Sequence, residues 1–188
     1  MTAEEGKELL RIARTSIEER LVRGRAGFPV PQSSQPFAGP QGAFVTIHTY
    51  PQKRLRGCIG RIESEWPLPE TVSRMAVAAA VSDPRFHPME SSELPAVILK
   101  VSVMSPLEKV GDSSRVVIGR HGVVVKAHGR TGVFLPEVPV EQGWTSVQML
   151  DHLCREKMGL DAGSWREPGA EIFVFESEGF EEKEPGKV

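Results

Sequence analysis

Cysteine is scarce in this chain. Cys58 and Cys154 are the two in 188 residues, and they stand far apart. Neither belongs to a CxxC pair or a Cys/His cluster, so the sequence offers no disulfide framework and no structural zinc site. Two free thiols in a reducing compartment are the expected state. The five histidines are scattered, with no HxH or HExxH spacing, and no bound metal is expected. No glycine-rich dinucleotide fingerprint and no βαβ period occur, so no cofactor is expected either. Internal repeats are absent. No apolar run approaches the roughly 20 residues that cross a bilayer. Net charge is only -2, which gives no general pull toward nucleic acid or an anionic membrane. Glu4, Glu5 and Lys7 stand where a signal peptide would need an apolar stretch, and a cytoplasmic protein is expected.

What remains is the composition of a soluble globular protein, 39% apolar and 26% charged. The length suits one domain over residues 1–188, or one domain with two lobes. With 18 glycines and 15 prolines, the chain reads as many turns and short strands rather than a helix bundle.

Thr2 with Glu5 forms a capping-box pattern, and Leu9, Ile12, Ala13, Ile17 and Leu21 share one helical face. This predicts a helix over 3–23 that ends at Gly24. Residues 28–42 are rich in Pro and Gly and predict a linker or a loop draped over the domain. Ala43 to Thr49 and Leu55 to Ile62 read as a hairpin, which sets Cys58 opposite Thr46 or Ile47. A buried helix is expected from Glu70 to Ser82, stopped by Asp83-Pro84. Val97 to Met104 alternates strictly and predicts an interior strand of an antiparallel sheet. Arg115 to Ile118 and Gly122 to Lys126 read as a hairpin around Gly119-Arg120-His121, and Thr131 to Leu135 as a short strand. Thr145 and Gln148 open a helix to Met158, with Cys154 on its core stripe beside Val147 and Leu150. Glu171 to Glu176 is the last strand, and residues 180–188 read as a frayed acidic tail. The class is α+β, a mostly antiparallel sheet with flanking helices.

The chemistry centres on Leu55-Arg56-Gly57-Cys58-Ile59-Gly60. A cysteine sits between two glycines, with a cation two residues before it. Gly57 and Gly60 leave the backbone open to a ligand, and Arg56 sits where it lowers a thiol pKa or binds an anion. The other reading is a glycine-kinked strand with a small buried cysteine. Asp83-Pro84-Arg85-Phe86 sets a carboxylate and a guanidinium at a helix end, either to bind an anion or to brace the loop. Candidate bases for Cys58 are His48, His87 and His121. Trp66, Phe86 and Trp144 are candidate aromatics of the site or of the core, and Glu137 is a candidate acid that is more often simply exposed.

The hexapeptide, followed by Asp83-Pro84-Arg85-Phe86, Glu93-Leu94, Gly122, Leu135-Pro136 and Gly143-Trp144, resembles the AMMECR domain family, whose prokaryotic members are called AmmeMemoRadiSam system protein A. The likeness runs over residues 8–175. It implies a two-lobed α+β unit with a cleft between the lobes, and a cleft position for Cys58. It also implies association with Memo-like and radical-SAM proteins. The pattern departs from the family after Cys154, where Glu156, Lys157 and Met158 precede Gly159-Leu160. Two functions are expected. One is an enzyme acting on a small anionic or nucleotide-like substrate, with Cys58 as reactive thiol and Arg56, Gly57, Gly60, Asp83 and Arg85 around the ligand. The other is a non-catalytic binding or scaffold module. Nucleic acid is disfavoured by charge balance, although Lys53, Arg54, Arg56 and Arg61 form a local basic strip.

Overall fold

The first helix begins and ends where its capping residues dictate. In the computed structural model, which describes residues 1–24, 37 and 39–188, α1 spans Ala3–Arg23. Thr2 Oγ1 accepts the Glu5 N–H, and the Glu5 carboxylate accepts the Thr2 N–H. That reciprocal pair satisfies two of the orphan donors of the first turn. Gly24 closes the helix at φ 61°, in the left-handed region that favours glycine. Of the Pro/Gly-rich stretch, residues 28–36 and 38 lie outside the described residues. The elements that follow are β1 (Ala43–Thr49), β2 (Leu55–Arg61), α2 (Leu68–Val81), β3 (Val97–Met104), β4 (Glu108–Val110), β5 (Gly122–Ala127), β6 (Arg130–Phe134), α3 (Glu137–Gln142), α4 (Ser146–His152), β7 (Glu171–Phe175) and β8 (Ser177–Glu181).

The strands form two four-stranded sheets, ordered β2-β1-β3-β8 and β4-β7-β5-β6. The pairs β1–β2, β1–β3, β4–β7, β5–β6 and β5–β7 are antiparallel, so the α+β class with mostly antiparallel sheets and flanking helices holds. The chain divides into two compact units, Met1–Met104 with Glu178–Val188, and Ser105–Ser177.

In the first unit β3 lies between β1 and β8. Its alternation sends Val97, Leu99, Val101 and Val103 into a core shared with Val45 and Ile47 of β1, Leu9, Ile12, Ala13 and Ile17 of α1, and Val72, Ala76 and Ala79 of α2. Each such aliphatic side chain taken from water contributes roughly 1.5–3 kcal/mol. The alternate positions Lys100 and Ser102 are half-buried on the other face of the sheet. The expected fraying from residue 180 gives way to an anchored segment. Glu182 is fully buried; its carboxylate pairs with Arg14 of α1 and accepts the Leu99 N–H at 3.0 Å. Its own N–H donates to the Leu99 carbonyl at 2.9 Å. A buried carboxylate needs such partners, and here it gains them by joining the sheet. An acidic composition alone carries no sign of that.

The second unit corrects three expectations. The hairpin lies one turn later than the sequence suggests. β5 and β6 turn through His128 (φ 51°) and Gly129 (φ 72°), a pair of left-handed residues that suits a two-residue hairpin turn. Arg115 to Ile118 is not a strand; the Val117 carbonyl accepts the N–H groups of Arg120 and His121, so the chain turns before it enters β5. The sequence predicts no element between Leu135 and Thr145, but the short helix α3 forms there with Pro136 as its N-cap, since proline is tolerated at a helix start. The helix after Thr145 has its capping box, but it passes into a π-helical turn over Leu153–Lys157. That wider turn shifts the phase. Cys154 is fully buried beside Leu150 and Leu153, whereas Val147 is exposed.

Candidate functional site

The β1–β2 register sets Thr46 directly opposite Cys58. Between the pairs Ile47–Gly57 and His48–Leu55 the register slips by one, which leaves Arg56 as the extra residue of a β-bulge. Bulges re-aim side chains, often beside functional sites. The Arg56 guanidinium donates to both oxygens of Glu93, at 2.7 and 2.9 Å, and to the His87 carbonyl at 3.1 Å. This bidentate pairing holds the Glu93 carboxyl below its usual range, against the opposing effect of burial.

β2 is an edge strand, and Cys58 turns its main-chain polar groups to the free edge. Asp83 and Arg85 take the place of a strand neighbour there. The Cys58 N–H donates to Asp83 Oδ2 at 2.8 Å, and Arg85 Nη2 donates to the Cys58 carbonyl at 3.1 Å. Asp83 is buried, with a side chain only 2% exposed. It also accepts the Arg85 N–H at 3.1 Å and the guanidinium at 2.9 and 2.7 Å. These bonds, those of the Arg85 guanidinium foremost, hold its carboxyl far below the ordinary carboxylate range despite burial. Asp83-Pro84-Arg85 therefore braces the sheet edge and blocks strand addition at Cys58.

The four residues Arg56, Cys58, Asp83 and Arg85 come together from two separated segments, but not in one role. An open groove of about 570 Å³ is lined by Arg56, Pro84, Arg85, Phe86 and His87. Cys58 and Asp83 are not among its lining residues. Both guanidiniums approach the Phe86 ring, at 5.9 and 5.6 Å from its centroid. Among the described residues, Nη1 of each arginine has no hydrogen-bond partner. The Cys58 thiol is half-buried and lies 3.1 Å from Thr46 Oγ1. The Asp83 hydrogen bonds are the main reason that the Arg85 guanidinium holds its proton more tightly.

The two glycines do not open the backbone to a ligand. A Cβ on Gly57 would stand 2.2 Å from the Ala79 carbonyl oxygen, and one on Gly60 would stand 2.1 Å from the Phe44 ring. Both serve close packing, of β2 on α2 and of Phe44 over β2. Of the three candidate aromatics, Phe86 lies in the groove. Trp66 packs on the first core beneath Arg61 and Arg74, and Trp144 packs on the second core and stacks on His152. His121 Nδ1 accepts the Val117 N–H, His128 pairs with Glu167 at the surface, and Glu137 is exposed. Glu93 and Thr46 are the site neighbours that sequence reasoning did not assign. Thr46 is one of the two cross-strand partners that the sequence allows Cys58, Ile47 being the other; Glu93 becomes a partner of Arg56 only through the bulge.

The profile of the AMMECR1 family matches residues 10–180. The chain belongs to the AMMECR1 family. A protein of Methanopyrus kandleri is 42% identical over 192 residues, covering 98% of this chain and 92% of its own length. One of Methanocaldococcus jannaschii is 39% identical over 193 residues, covering 98% and 94%. The crystal structure of an uncharacterized protein from Pyrococcus horikoshii superposes with a TM-score of 0.87 at 34% identity, covering 100% of this chain and 96% of that one. These AMMECR1 relatives support the fold and carry no named activity. Among the described residues no helix is long and apolar enough to cross a membrane.

Proposed function

We propose that this AMMECR1-family chain is a recognition module whose groove binds a small anionic ligand with a flat face, nucleotide-like in character. The observation that carries this reading is the arrangement of Arg56 and Arg85 about Phe86. Each guanidinium is fixed by a carboxylate, so neither must be ordered when a ligand arrives, and each keeps one amino group to donate. Phe86 supplies the surface for a planar ring. The Memo-like and radical-SAM partners implied by the family resemblance fit a module that holds a ligand for other proteins, in the cytoplasm.

The test is calorimetric titration with inorganic phosphate and a panel of nucleoside phosphates. A panel member should bind more tightly than phosphate, and Phe86→Ala should weaken it about tenfold, as the loss of one stacked ring does. Equal binding to the Phe86→Ala variant, or no binding across the panel, would sink the reading. The enzyme reading is the second one, and one observation favours it: the half-buried Cys58 thiol bonded to the Thr46 hydroxyl within the field of Arg85.

A further inference from the structure

Lys100 sits in the middle of the first sheet, two positions before Ser102 on the face away from the α1 and α2 core. Its neighbours across the strands are Thr46 on β1 and the glycine-containing β8. Partly buried cations elsewhere in this unit are paired with a carboxylate: Lys7 with Glu4, Arg14 with Glu182, Arg56 with Glu93 and Arg74 with Glu70. Lys100 is half-buried and has no ion pair or hydrogen bond among the described residues. Its stem covers the sheet while its ammonium stays uncommitted, so its position suits an anionic partner.

Gly179 of β8 lies under the Lys100 side chain. A Cβ at this position would stand 3.0 Å from Lys100 Cε, 3.8 Å from Lys100 Nζ and 3.8 Å from Ser102 Oγ. The end of the Lys100 stem therefore takes the space that a side chain at 179 would occupy, and the ammonium and the Ser102 hydroxyl both lie beside this bare stretch of backbone. Ser102 Oγ likewise has no hydrogen-bond partner among the described residues. Gly179 does not have a positive φ, so no turn geometry accounts for it; space does. Glu181, two residues after Gly179 on β8, is already held by Lys53 at 2.7 Å. Burial is the main cause that pushes the His48 imidazole toward its neutral form; Glu181 opposes it, and Lys100 and then Lys53 assist it by smaller amounts.

We infer that Lys100, Ser102 and Gly179 form an oxyanion cradle on the β3–β8 face, a site separate from the Arg56–Phe86–Arg85 groove. Its ligand is a phosphate or carboxylate group, taken by the Lys100 ammonium and the Ser102 hydroxyl, with Gly179 as the floor. The charge balance suits a group with one net negative charge, since one cation on this face is uncommitted.

The experiment is a titration of the whole chain with inorganic phosphate, and separately with acetate, at constant ionic strength. The amide resonance of Gly179 is followed by NMR. Saturable shifts of that amide are expected, with Lys100→Met weakening the apparent affinity at least tenfold and Lys100→Arg largely keeping it. Gly179→Ala, followed at the Ser102 amide, should also lose binding because the methyl displaces the Lys100 stem. Phe86→Ala should leave the titration unchanged. Shifts confined to groove amides, and lost in Phe86→Ala but not in Lys100→Met, would place the anion in the groove and overturn the cradle while supporting the groove. No saturable shift at Gly179 would overturn it outright. Where Lys100→Met alters the far-ultraviolet circular dichroism, Lys100→Gln takes its place.

Discussion

The groove and the sheet face use cations in opposite ways. Arg56 and Arg85 are each locked to a carboxylate and to a backbone carbonyl. Lys100 is left alone over Gly179. A paired guanidinium builds structure first and recognises ligands with what is left over. An unpaired ammonium contributes nothing to folding and is held at a cost. The side chains that dominate the motif are thus the ones most committed to the fold, and the lysine outside it has no partner among the described residues. Stability measurements can break this contrast, because they should rank the residues in the order of their commitment.

Gly57→Ala should have the largest effect. Its Cβ would meet the Ala79 main-chain oxygen at 2.2 Å, and a helix backbone gives way less easily than a side-chain tip. The loss should be about 3 kcal/mol or more, the upper range for overpacking, read from urea denaturation. An unchanged midpoint would mean that β2 is not seated on α2 as described, and the brace would lose its base.

Asp83→Asn comes next, at about 2 kcal/mol for the loss of charge-assisted bonds to Arg85 and Cys58. The pH dependence gives the sharper result. The folded Asp83 carboxyl is depressed below its unfolded value of about 4, so its stabilisation is complete above that value. It is lost as pH falls from there toward the lower folded value. Wild type should lose stability over that acid window, and Asp83→Asn should show a shallower slope. Parallel slopes would remove Asp83 from the brace.

Much of this arrangement was legible in the sequence, and the limits are physical. The caps of α1 at Thr2, Glu5 and Gly24, the interior strand β3 and the pairing of Cys58 with either Thr46 or Ile47 follow from local chemistry and period-2 alternation; the structure selects Thr46. The glycines beside Cys58, the pinning by Pro84 and the family resemblance lead one to expect Arg56, Cys58, Asp83 and Arg85 on one cleft, whereas of these four Arg56 and Arg85 line the groove. What escaped depends on contacts distant in sequence. The bulge that frees Arg56 to reach Glu93 is a one-residue slip, invisible to alternation. Glu182 reads as tail composition until Arg14, 168 residues away, meets it. Gly57 and Gly60 read as openings because the atoms that fill their space, from Ala79 and Phe44, come from other elements. Lys100 reads as the polar side of a half-buried strand, and only the glycine on β8 marks it as more.

The smallest effect is the most telling. Arg56→Met removes both donors from Glu93, a carboxylate 35% exposed, and should cost about 1 kcal/mol, since water rescues part of the loss. Lys100→Met removes a half-buried cation with no partner, replaces it with an apolar chain of similar length, and should change stability by no more than about 0.5 kcal/mol. Any change should be toward greater stability, because the desolvation cost of the ammonium disappears. Added phosphate should reverse the ranking: an anion bound only to the folded state stabilises wild type by mass action, and Lys100→Met should lose that gain. The decisive comparison is therefore the denaturation midpoint of both variants with and without phosphate at fixed ionic strength. If Lys100→Met proves as damaging as Arg56→Met in phosphate-free buffer, Lys100 is a structural residue and the contrast between the two regions falls.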